Sequence, residues 1–89
     1  MKMRNDDIRK ITEIKQYLLD PPVSFKLHEY VIQRIQEAAT VLSAYPEAEN
    51  VKNYLLDLYE QLKTKSMLQE ELRNKLKQAG IQISRLTNK

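Results

Sequence analysis

The stretch from Val51 to Leu62 reads Val-Lys-Asn-Tyr-Leu-Leu-Asp-Leu-Tyr-Glu-Gln-Leu. At about 100° per residue, its apolar side chains fall on one arc and its polar ones lie opposite. The apolar set is Val51, Tyr54, Leu55, Leu58, Tyr59 and Leu62. We therefore expect a helix that packs one face against a core. Leu56 lies off this arc, between Lys52 and Glu60, and is expected to contact something on a second side.

Length and composition indicate one small all-α domain. The chain has 89 residues, of which 42% are hydrophobic, 30% are charged and one is glycine. A chain of this size forms a single core and buries only about 60–65% of its unfolded surface. We expect this domain to span residues 6–86, with frayed ends at 1–5 and 87–89. No cysteine is present, so packing and helix capping must supply the stability without disulfides or a thiolate zinc site.

Proline breaks and caps divide the chain into four predicted helices, at 6–19, 24–43, 46–63 and 66–85. Asp20-Pro21-Pro22 ends the first, because proline removes a backbone donor and restricts the residue before it. Pro46 suits the first turn of the third helix. The predicted N-caps are Asn5 or Asp6 for the first helix and Ser24 for the second. Ser66-Met67-Leu68-Gln69 matches a capping box for the fourth.

Each predicted helix has an apolar face. In the first helix we expect a broad buried face that includes Ile8 and Leu19 at its edges, with Ile11, Ile14 and Leu18 between them. In the fourth we expect a buried stripe that starts at Leu68. Gly80 lies inside this stripe, where it marks either a close helix contact or an early end of the helix.

The two halves of the sequence align with each other. A shift of forty-one residues places Leu27, Val31, Ile35, Ala38 and Leu42 over Leu68, Leu72, Leu76, Ala79 and Ile83. The predicted architecture is a compact four-helix bundle made of two helical hairpins. Apolar periodicity aligns any two amphipathic helices, so an internal duplication stays one of two explanations.

A resemblance adds to this interpretation. The run Leu19-Asp20-Pro21-Pro22-Val23-Ser24-Phe25-Lys26-Leu27 is followed by an alanine-bearing helix, a turn at Pro46 and Leu55-Leu56-Asp57. This order resembles an archaeal family of small helical proteins, designated uncharacterised protein family zero-one-four-seven. The resemblance implies a compact bundle of two helical hairpins in an archaeal cytoplasm, and it implies no catalytic residue.

No catalytic or metal-binding pattern stands out. His28 is the one histidine, and the second histidine of a zinc-binding helix is absent. The carboxylate pairs fall in the first turns of predicted helices, where the helix dipole favours them. One glycine cannot form a phosphate-binding loop. We therefore expect no enzyme activity, no cofactor and no metal site.

The longest apolar runs, such as Tyr17-Leu18-Leu19 and Tyr30-Val31-Ile32, are too short to span a bilayer or to form the core of a signal peptide. The sequence therefore predicts a cytoplasmic protein that does not bind membranes. Its net charge of +3 is modest and falls short of a dedicated nucleic-acid binder.

Two classes of function remain. The first is a protein-interaction module, either a homodimer or the binder of an unidentified protein, which uses the apolar residues Ile32, Val41 and Leu56. The alternative is a nucleic-acid contact surface formed by five cations around the third turn: Lys63, Lys65, Arg73, Lys75 and Lys77. Glu70 and Glu71 lie within this cluster, which favours a solvated helix face with pairs such as Glu71 to Lys75.

Overall fold

The computed structural model describes residues 3–21, 27–64 and 68–87, and within them it contains four α-helices and no strand. The helices are α1 (Asn5–Leu19), α2 (Leu27–Leu42), α3 (Glu49–Thr64) and α4 (Gln69–Thr87). A 3₁₀ turn at Pro46–Ala48 leads directly into α3. The predicted all-α four-helix bundle is confirmed.

The start of α1 differs from the prediction. Its N-cap is Arg4, which has an extended backbone and makes no side-chain cap, so the expected capping by Asn5 or Asp6 is wrong. Met3 packs against the core, and the Arg4 backbone N–H donates to the Tyr45 hydroxyl at 3.1 Å. Met3 and Arg4, which lie in the segment 1–5 that the sequence predicts to fray, therefore make tertiary contacts. Ser24, Ser66 and Met67, on which the other two caps depend, lie outside the described residues.

Hydrogen bonds within residues 39–48 stabilise the turn between α2 and α3. Ser43 continues the helical pattern through its N–H and its hydroxyl, which both donate to the Ala39 carbonyl. The Tyr45 N–H then donates to Leu42 at 3.0 Å, and the Tyr45 carbonyl accepts from Ala48 at 2.9 Å. Pro46 occupies the first turn, as predicted, where its missing N–H leaves no donor unpaired.

One contiguous apolar core lies between the helices. It contains Ile11, Ile14, Leu18, Val31, Ile35, Ala38, Leu42, Ala48, Val51, Leu55, Leu58, Leu62, Leu72, Leu76, Ala79 and Ile83. Ile8, Leu19 and Leu68 were expected in the buried stripes, but all three are exposed. Ile8 and Leu19 lie about 120° and 140° from Ile14 around α1, so they lie at the edges of its buried face and stay partly exposed. Leu68 precedes the first residue of α4.

The helices pair in a symmetric way. The closest pairs are α1 with α4 and α2 with α3, whereas the hairpin neighbours α1 with α2 and α3 with α4 pack more loosely. Exchanging α1 with α3 and α2 with α4 leaves this pattern unchanged. The positions aligned by the forty-one-residue shift from Val31 to Leu42 and from Leu72 to Ile83 are buried in both helices. Both observations are compatible with an internal duplication of a helical hairpin.

Candidate interaction surfaces

The outward side of α3 carries one exposed leucine among charged residues. Five residues spaced three or four apart share this side, and we call them the α3 stripe: Glu49, Lys52, Leu56, Glu60 and Lys63. Leu56 is 42% exposed, Lys52 is half-buried and the other three are exposed. The stripe is therefore a solvent-facing row with an apolar centre and charged ends.

The charges of the α3 stripe are unpaired within the described part of the chain. The ion pairs found there are Arg4 with Asp7 and Arg34 with Glu37. Lys63 instead places its Nζ 5.2 Å from the centroid of the Tyr59 ring, which is a cation–π contact. Glu49, Lys52 and Glu60 therefore make no ion pair there, and a partner could pair their charges.

The three apolar residues expected to form one patch do not share a face. Ile32 and Val41 are both half-buried and pack against the core. They are nine residues apart, which places them about 180° apart around α2. Val41 borders a surface depression with Lys10 of α1, so Ile32 lies on the side of α2 away from α1. Ile32 and Val41 therefore cannot both join one patch with Leu56.

The depression beside Val41 lies between α1 and α2. It has a volume of about 280 Å³ and is lined by Lys10, Gln33, Gln36, Glu37, Thr40 and Val41. Its walls are mostly amides and flexible charged side chains on an open surface. Nothing in this lining distinguishes one class of ligand.

A smaller cavity of about 80 Å³ lies next to Tyr17, between Glu13, Ile14 and Arg34. The Tyr17 hydroxyl is buried and has no hydrogen-bond partner among the described residues, and burial raises the pKa of this hydroxyl. The Arg34 guanidinium stacks 5.5 Å above the Tyr17 ring and pairs with Glu37. The cavity is polar and large enough for water, which fits a structural role.

The predicted basic surface is divided in the structure. Arg73 and Lys77 are one turn apart on α4, whereas Lys75 lies about 160° or more from either of them. Arg73 points toward the end of α1, where its Nη1 donates to the Pro21 carbonyl at 3.5 Å. Lys63 is engaged with Tyr59, and Lys65 lies outside the described residues. The described cations therefore do not form one continuous surface.

Tyr45 makes a polar contact that sequence analysis missed. Its hydroxyl donates to the Asp7 carboxylate, and Arg4 Nε lies 3.3 Å from the same carboxylate oxygen. The hydrogen bond from Tyr45 is the main reason why the pKa of Asp7 lies below its ordinary value, and Arg4 and Lys10 add to this effect. This cluster ties the start of α1 to the turn between α2 and α3. No local pattern could have predicted a contact between positions 38 residues apart.

The described residues include neither a cluster of metal-binding side chains nor a helix that could span a membrane. No three His, Cys, Asp or Glu side chains there are placed to hold a metal ion. No described helix has the length and apolar character needed to cross a membrane. The side chain of His28 lies outside this part of the structure.

Comparison of the chain with known proteins finds no relative. No family model matches the chain, and it matches no curated protein and no solved structure. The resemblance carried by residues 19–27 and the turns that follow therefore stays a prediction. Any function must be argued from the surfaces of the bundle.

Proposed function

We propose that this protein is a non-catalytic interaction module that associates with itself through the α3 stripe. The observation that carries the proposal is the position of Leu56. It is a large aliphatic side chain, 42% exposed, on the outward side of a helix whose other face fills the core. A single exposed leucine is common on protein surfaces, so the free charges around it add needed support.

The small size of the domain also favours association. An 89-residue chain buries a smaller fraction of its surface than a larger one, so an interface adds useful apolar burial. Closed twofold pairs are the commonest assemblies of soluble proteins, and they use the same patch on both copies. Ile32 and Val41 lie on opposite sides of α2, so at most one of them can adjoin Leu56, and the proposal uses neither.

Nucleic-acid contact remains the alternative, with less support. Duplex binding requires several cations that reach phosphates together. Arg73 and Lys77 share a side of α4, but Lys75 does not, and Arg73 already bonds to Pro21. A cytoplasmic location also belongs to the proposal, and it rests on the sequence analysis.

Backbone amide spectra recorded over a dilution series test the proposal. If the protein associates through the α3 stripe, the amide shifts that change with concentration will cluster at Lys52, Leu56 and Glu60. Amides of α1, which lies elsewhere in the bundle, will stay constant. Shifts independent of concentration, or shifts confined to α1 and α4, would contradict it.

A further inference from the structure

The charges of the α3 stripe are arranged antisymmetrically around Leu56. Lys52 lies four residues before Leu56, and Glu60 lies four residues after it. Glu49 lies seven residues before it, and Lys63 lies seven residues after it. Each charge therefore has an opposite charge at the same distance on the other side of the leucine. The whole row is about 21 Å long at 1.5 Å per residue.

This arrangement distinguishes two ways of pairing α3 with the α3 of a second copy. In a parallel pair each residue faces its own equivalent, so Lys52 would meet Lys52 and Glu60 would meet Glu60. In an antiparallel pair centred on Leu56, Lys52 of each copy meets Glu60 of the other. The outer residues Glu49 and Lys63 then also meet across the pair. In the parallel pair every charged residue of the stripe meets a like charge. In the antiparallel pair every one of them meets an opposite charge.

We infer that the partner of this surface is a second copy of the chain, with its α3 antiparallel and the twofold axis passing through Leu56. This inference rests on the proposed function and adds its partner and orientation. Helices pack at interaxial distances of about 8–10 Å, which lets Leu56 meet its equivalent while longer charged side chains reach across. In the described part of the chain, Glu49, Lys52 and Glu60 have no competing ion pair.

The inner charges carry more weight than the outer ones. Glu49 lies in the first turn of α3 and Lys63 in the last turn. The helix dipole alone favours an acid at the first place and a cation at the second. Lys52 and Glu60 lie in the interior of the helix, where the dipole gives no such preference. Their opposite signs around Leu56 are the feature that antiparallel pairing explains.

The inner pair provides the experiment. Sedimentation equilibrium is run on the wild-type protein, on Lys52→Glu, on Glu60→Lys and on the variant with both changes. Each single change sets like charges against each other twice per dimer, and we expect it to weaken the dimer roughly tenfold. The double variant reverses both charges, so opposite charges meet again and wild-type affinity returns. An equimolar mixture of the two single variants should form a heterodimer with affinity near that of wild type.

The outcomes separate this inference from the proposed function. If the single variants dimerise as well as wild type while Leu56→Glu does not, self-association stands and the antiparallel pairing is overturned. If the double variant stays as weak as the single variants, the pairing is overturned too. A wild-type protein that is monomeric up to about 1 mM contradicts both. Circular dichroism of each variant checks the fold. Mixing restores affinity only if repulsion between like charges caused the loss, because a defect of one variant alone would persist in the heterodimer.

Discussion

Leu19 of α1 lies across Gly80 of α4, so closely that a β-carbon on the glycine would come within 2.7 Å of Leu19 Cγ and Cδ2. The Leu19 backbone nitrogen would be only 3.5 Å away. The sequence left two roles open for Gly80, a close helix contact or an early end of the helix. The structure shows the close contact, and α4 continues past Gly80 to Thr87. Because glycine has no side chain, α4 can approach α1 closely at this point, in one of the two closely packed helix pairs.

Gly80→Ala should destabilise the protein by about 1 kcal/mol, because the overlap with Leu19 exceeds the gain of about 1 kcal/mol in helix propensity. In a Leu19→Ala background the overlap disappears, and the same change should stabilise by up to about 1 kcal/mol. Urea unfolding of the four proteins in this cycle measures the coupling. Equal stabilisation by Gly80→Ala in both backgrounds would show that the contact is not tight.

Tyr45→Phe should remove a part of the stability that depends on pH. The hydrogen bond from Tyr45 holds the pKa of Asp7 below the ordinary value of 3.8. A carboxyl with a lowered pKa stabilises the fold above its ordinary pKa, and this contribution is lost as the pH falls through the lowered value. The difference in unfolding free energy between wild type and Tyr45→Phe should therefore be present at neutral pH and shrink below pH about 4.

Asp7→Asn is the matched control, since it removes the carboxylate and keeps the side-chain size. Its stability should show the same loss of pH dependence, and Tyr45→Phe should then have little further pH-dependent effect. Urea unfolding across the acid range and NMR titration of the Asp7 side chain measure both. A difference between wild type and Tyr45→Phe that stays constant with pH would rule out this coupling.

Adjacent leucines of α3 should respond very differently to truncation. Leu55 is fully buried, so Leu55→Ala should cost about 2–5 kcal/mol of unfolding free energy. Leu56 points outward, so Leu56→Ala should cost about 0.5 kcal/mol or less in the monomer. Urea unfolding at low protein concentration compares them. Similar losses for the two variants would mean that α3 is rotated relative to the core.

Nucleic-acid binding should be weak and strongly dependent on salt. Arg73 and Lys77 offer at most about two phosphate contacts on one side of α4, so the logarithm of affinity should fall with a slope of about −2 against the logarithm of salt concentration. Fluorescence anisotropy with labelled duplex and single strands measures it. Sub-micromolar affinity at physiological salt, lost in a variant with Lys75→Glu and Lys77→Glu, would favour the alternative function.

Periodicity predicted most of the core. Leu55, Leu58 and Leu62 recur at helical spacing and are buried, and the prolines placed the breaks. The width of each contact face was harder to predict. The apolar arc of α1 extends to Ile8 and Leu19, which are 39% and 38% exposed although Leu19 touches Gly80 of α4. Helical spacing alone does not tell how far a neighbouring helix covers such an arc.

Contacts between distant residues could not be predicted at all. The pairing of Tyr45 with Asp7 and the contact of Leu19 with Gly80 depend on how helices are placed relative to one another, and local patterns such as helical spacing do not contain that information. The outward position of Leu56 was predictable from helical spacing within α3. Its grouping with Ile32 and Val41 in one interface stays a prediction. Nine residues turn an α-helix through about two and a half revolutions, so Ile32 and Val41 lie on opposite sides of α2.

Sedimentation equilibrium of Leu56→Glu beside Ile8→Glu tests self-association through α3 most directly. Ile8 is 39% exposed, close to the 42% of Leu56, but lies on α1, so it controls for the loss of any exposed aliphatic side chain. We predict that wild type and Ile8→Glu form a weak dimer as concentration rises, and that Leu56→Glu stays monomeric with unchanged helical content. Wild-type protein that remains monomeric up to about 1 mM, or a Leu56→Glu protein that dimerises as wild type does, would contradict the account.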